Sequence, residues 1–94
     1  MKRYAREVPS SMEYTDESGS KVKVVTQWYP VMQRLYVCVY RDSRMVSQGS
    51  SSVVRWKRKC QENVEACDQV GLECKVFGAT DYVREDGEWR VLDE

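Results

Sequence analysis

One window of this chain repeats its apolar residues at helical spacing. Val53, Trp56, Cys60, Val64 and Cys67 recur at steps of three, four, four and three, and at 100° per residue they share an arc of about 80°. The spacing predicts a helix over about 52–70, lying with a single stripe on whatever the rest of the chain builds. One of Ser50 to Ser52 can cap its first turn, and Gly71 stands where helices commonly end in a left-handed residue. No other stretch reads as a long helix.

The remaining signals are strands. Lys2 to Val8 can form a short one, which Pro9 ends. The polar segment near 9–20, with SSMEYTDESGS as its main part, reads as a loop or wide connection in which Met12 to Thr15 can pair. KVKVVTQWY, closed by Pro30, is β-branched and aromatic. In RLYVCVYR, Leu35, Val37 and Val39 alternate with Tyr36, Cys38 and Tyr40; a strand apolar on both faces is expected to be covered on both sides. Asp42 and Ser43 suit a turn into a hairpin arm at Arg44 to Ser47, after which QGSSS breaks the pattern. Cys74 to Phe77 reads as a strand, and Asp81 to Leu92 as a hairpin turning at Asp86-Gly87, a pair that tolerates the positive φ of a tight turn. Strands, one helix, then strands imply an α+β fold: a mainly antiparallel sheet with the amphipathic helix packed across one face, in one small domain spanning 1–94.

With 41% hydrophobic residues, a chain of this size has the material for a core without a metal or disulfide staple. It holds four cysteines and no histidine. Cys60 and Cys67 lie about 10.5 Å apart along the helix, too far to bridge, and the regular spacing of Cys60, Cys67 and Cys74 lacks the close pairs of structural zinc sites. Reduced, buried thiols are expected, with a Cys38–Cys74 bridge the lesser alternative and no cofactor implied. No window approaches the ~20 apolar residues of a membrane span, and MKRYAREVPSSMEY lacks the apolar run of a secretory signal. The expectation is a cytoplasmic protein with no membrane partner.

The zero formal net charge conceals a division. Residues 21–59 hold nine cations against Asp42 alone, a formal +8; residues 60–94 hold three cations against ten acids, a formal −7. Such asymmetry points to a polyanion-binding surface or to an acidic face that meets a basic partner; the plainer alternative is that the two segments neutralise each other across the fold. The residues that would contact a nucleic acid or other anion are Arg41 and Arg44 at the hairpin turn, Ser51 at the helix start, and Arg55, Arg58 and Lys59 on the helix, where free backbone N–H groups and the dipole attract negative charge. Against this, GSSS is also an ordinary cap, and Arg58 and Lys59 can each pair with Glu62 on a solvated face. Trp56 belongs to the apolar stripe and not to a stacking platform. Tyr29, Tyr36 and Tyr40 could stack on unpaired bases if exposed, but Tyr36 and Tyr40 are expected in the core.

Catalysis has little support: there is no histidine, no phosphate-binding loop and no nucleophile elbow. The expectation is a small non-enzymatic binding domain, contacting nucleic acid or another polyanion through the basic 21–59 segment. Its alternative is a protein-interaction or homo-oligomerising domain that uses the sheet edge and the acidic hairpin around Asp86 to Trp89.

Overall fold

In a computed structural model, which describes residues 3–92, eight strands and one helix form two antiparallel sheets. Lys2, at the start of the first expected strand, and the acids Asp93 and Glu94 lie outside the described residues. The strands β2 (Ser11–Thr15), β3 (Lys21–Tyr29), β4 (Arg34–Arg41) and β5 (Arg44–Ser51) form a meander. The helix α1 (Val53–Gln69) follows, and β6 (Cys74–Phe77) then pairs beside β2, giving the order β5-β4-β3-β2-β6. A smaller sheet joins β1 (Arg3–Val8), β7 (Thr80–Glu85) and β8 (Glu88–Val91) in the order β1-β7-β8. The α+β class and the antiparallel pairing are as the sequence implies; the strands divide between two sheets where one was expected.

The division has a local cause. β1–β2 and β6–β7 run side by side as one antiparallel ribbon, with Val8 opposite Thr80 and Ser11 opposite Phe77. Both halves break at the same level: Pro9 has no N–H for the ladder, and Gly78 takes a φ of +70°, where a side chain would be strained and would also strike Ser10. Ser10 spans the corner, its backbone N–H donating to the Phe77 carbonyl at 2.9 Å. Beyond the bend the ribbon belongs to the other sheet.

The core fills the angle between the sheets. Met12, Val22, Val24 and Leu35 from the large sheet meet Ala5, Val8, Tyr82 and Trp89 from the small one, and Val53, Trp56 and Cys60 from α1 close the space. Trp56 is 1% exposed, and its indole N–H donates to the Pro9 carbonyl at 2.7 Å, which ties the helix to the corner. Trp28 and Tyr82 pack edge to face across the sheets, with ring centroids 5.2 Å apart. Gln33, in the β3–β4 turn, accepts a hydrogen bond from the Trp89 backbone N–H.

One reading of the sequence is sharpened and two are corrected. In the polar segment near 9–20 the expected pairing of Met12 to Thr15 is present and firmer than a loop or wide connection implies: Ser11–Thr15 is a full strand held between β3 and β6, with Met12 buried and Glu13 turned to the other face. β5 does not stop at Ser47: QGSS continues on β4, Gln48 opposite Cys38 and Ser50 opposite Tyr36, so an established partner strand overrides weak β propensity. β4 is covered on one face only. Val37 and Val39 pack against the core with the helix, whereas Tyr36, Cys38 and Tyr40 lie on the opposite face, half-buried by neighbouring side chains of the sheet.

Candidate functional site

The helix starts as its sequence implies, and of Ser50 to Ser52 it is Ser52 that caps it: its Oγ accepts from the Arg55 backbone N–H at 3.2 Å. Ser51 Oγ donates to the Ser52 carbonyl at 3.1 Å, so its proton is committed within the cap. Val53, Trp56, Cys60 and Cys67 of the stripe are buried, whereas Val64 is 37% exposed. Asn63 takes the inward position instead, its amide donating to Met12 Sδ at 3.4 Å and Cys74 Sγ at 3.3 Å.

Arg55, Arg58 and Lys59 do not project straight away from the sheet. They line one flank of α1, and together with the β4–β5 hairpin they enclose an open groove of about 590 Å³. Val37 and Val39 are its apolar floor, Ser47 to Ser51 of β5 its outer wall, and Glu62 its one acid. Among the described residues, neither the two arginines nor the lysine forms an ion pair, and the expected pairs of Arg58 and Lys59 with Glu62 are not made. Three unpaired cations therefore stand against one carboxylate in a concave surface. Their potential adds, because no opposite charge within salt-bridge distance cancels it.

The two remaining basic candidates are elsewhere. Arg41 and Arg44 face each other beside the Asp42-Ser43 turn, at the opposite end of β5 from the helix start, some 23 Å away at the usual rise per residue. Arg41 is engaged, its Nη1 lying 3.2 Å from Asp16 Oδ2. The Asp16 carboxyl is held below its ordinary pKa, first by the Ser18 hydroxyl and also by backbone N–H groups and Arg41. Lys21 and Lys23 border a second depression of about 740 Å³ with Lys75, but Glu13, Asp42 and Glu73 share it; Lys23 pairs with Glu13 at 3.6 Å and Lys75 with Glu73 at 3.3 Å. Seven of the nine cations of the +8 segment are thus divided among the groove, the hairpin tip and a charge-balanced depression, while Arg34 donates to Ser50 Oγ at 2.9 Å and Lys57 acts on Asp81. The segment is not one patch.

All four cysteines are free. Cys38 and Cys74 lie on opposite faces of the large sheet by register, which rules out a bridge between them. Burial pushes the Cys60 thiol up to about 11, and burial also raises that of Cys74, so both are protonated at neutral pH and are weak nucleophiles. Among the described residues no group of three or more Cys, Asp or Glu could hold a metal ion, and no helix is long and apolar enough to cross a membrane. Trp89 is 8% exposed and carries the Arg84 guanidinium 5.6 Å from its ring centre. It is a core residue, and the acidic hairpin therefore lacks an exposed aromatic anchor there.

Sequence reasoning found the groove's cations but not the groove. Its floor, Val37 and Val39, is visible only as one face of a strand; of its outer wall, Ser47 reads as the end of a hairpin arm, and Gly49 and Ser51 read as part of a breaker. No family model, curated protein or solved structure matches this chain.

Proposed function

We propose that this chain is a small non-enzymatic binding domain that holds a polyanionic partner in the groove between α1 and the β4–β5 hairpin. The observation that carries the reading is the grouping of Arg55, Arg58 and Lys59, all without ion-pair partners among the described residues, around a concavity whose one acid is Glu62. The groove's size suits a chain segment, and its apolar floor gives that segment something to lie on besides charge. Arg41 is spent on Asp16 and Arg44 is remote, so neither belongs to the proposed site.

The test uses heparin and a fluorescent oligothymidylate, which share dense negative charge. Binding at about 50 mM salt is expected to weaken as salt rises, with a log–log slope of roughly −2 to −3 for three contacts. A variant carrying Arg55→Glu, Arg58→Glu and Lys59→Glu should keep the far-ultraviolet circular dichroism of the parent and lose most of the affinity. If the parent binds neither probe at low salt, the polyanion reading fails.

A further inference from the structure

Beside the groove lies an unprotected sheet edge. β5 pairs with β4 alone, leaving its outer row of backbone N–H and C=O groups free of hydrogen bonds to any other described strand. The other three edges are blunted in ways that hinder pairing. β6 is four residues long and carries Lys75; β8 is four residues long and carries Glu88 and Arg90; β1 is bulged between Ala5 and Val8. β5 has eight residues, and its one charge, Arg44, is at its first position. Its irregularity is near that end, so Ser47 to Ser51 run in even register with β4.

A peptide strand added to β5 would lie about 4.8 Å from it, with every second side chain on the α1 side of the sheet. Nothing on β5 blocks that side. Ser47, Gly49 and Ser51 share a face with Val39, Val37 and Leu35, and a Cβ placed on Gly49 would meet no atom within 4 Å. The side chains so directed would approach Arg55, Arg58 and Lys59. Resting on the polyanion reading above, we infer that the partner is an extended acidic protein segment, which adds to β5 as a sheet strand and turns alternate carboxylates into the groove. The free edge favours a peptide over a nucleic acid, because its spaced donors and acceptors match another peptide backbone. Stacking is also denied to bases in this groove, since the Trp56 ring that borders it is buried.

The probe is a labelled peptide of the length of β5, alternating glutamate with threonine, in three forms: unmodified, and N-methylated on alternate amides in each of the two phases. The unmodified peptide should bind. One methylated phase should bind at least about tenfold more weakly, having lost the donors that face β5, and the other should match the unmodified form. The charge-reversed groove variant should weaken the unmodified peptide similarly. Equal binding by both methylated phases overturns strand addition, as does a dimer in light scattering whose outer β5 amides are protected from hydrogen exchange, which would mean that a second copy already occupies the edge. Heparin binding without peptide binding overturns the inference and leaves the polyanion reading standing; binding of no probe removes both.

Discussion

Asp81 carries more of the small sheet than its place at the start of an acidic hairpin implies. Its Oδ1 accepts from the Glu7 backbone N–H and its Oδ2 from the Tyr4 hydroxyl, both at 3.0 Å. The first bond closes the bulge in β1, where Glu7 adopts a φ of 55°; these two donors, the Glu7 N–H foremost, hold the Asp81 carboxyl below its ordinary 3.8. A carboxyl more acidic in the folded than in the unfolded chain stabilises the fold above the unfolded value, and this contribution is lost as pH falls through the folded one. Asp81→Asn should accordingly lower the melting temperature at pH 7, and the gap from the parent should narrow below about pH 4 as the parent carboxyl protonates. Thermal melts across that range decide it; a constant gap would assign the effect to shape and not to charge. Glu7 and Asp81 are 74 residues apart, and nothing in either neighbourhood announces a clamp. Single-residue chemistry of this kind was invisible in the sequence because it depends on which strands meet.

Elements were more readable, for periodicity is a property of the segment itself. The helix bounds, the strands β3 and β4, and the Asp86-Gly87 turn all follow from local pattern. The end of β5 did not, because QGSS is a strand on account of the neighbour it pairs with, and β2 was legible only as a pairing of Met12 to Thr15 within a loop. Asn63 in place of Val64 is a related case: it points into the core, where the sulfurs of Met12 and Cys74 receive its amide protons. Helix stability should divide between cap and anchor. Ser52→Ala removes the acceptor for Arg55 N–H and should cost about 1 kcal/mol. Trp56→Phe leaves the Pro9 carbonyl without its indole donor, a loss of about 1–3 kcal/mol, while Trp56→Ala adds a cavity and should cost about 3–5 kcal/mol. Urea denaturation with unchanged slopes would confirm this ranking; a cap loss larger than the Trp56→Ala loss would contradict it.

At the scale of the whole molecule, the sequence concealed three things: that one ribbon bends into two sheets, that β4 is covered on one side, and that the +8 segment is scattered. Each depends on how the faces of separate elements are brought together. Lys23, for example, meets Glu13 across β2 and β3, a neutralisation made within the N-terminal half and not between the basic and acidic segments. The shared core also makes a claim about cooperativity. Residues of both sheets and the helix belong to one cluster, and Trp28 meets Tyr82 across the sheet boundary, so the small sheet should not unfold on its own. A double-mutant cycle with Trp28→Leu and Tyr82→Leu should give a coupling of about 0.5–1.5 kcal/mol, the usual worth of an edge-to-face pair beyond its buried area. In the parent, tryptophan fluorescence and far-ultraviolet circular dichroism should trace one coincident urea transition, since Trp28 and Trp56 report on the large sheet and helix and Trp89 on the small sheet. Two separated transitions, or a coupling near zero, would mean that the bend at Pro9 and Gly78 joins two independent units and that Trp56 alone does not hold them together.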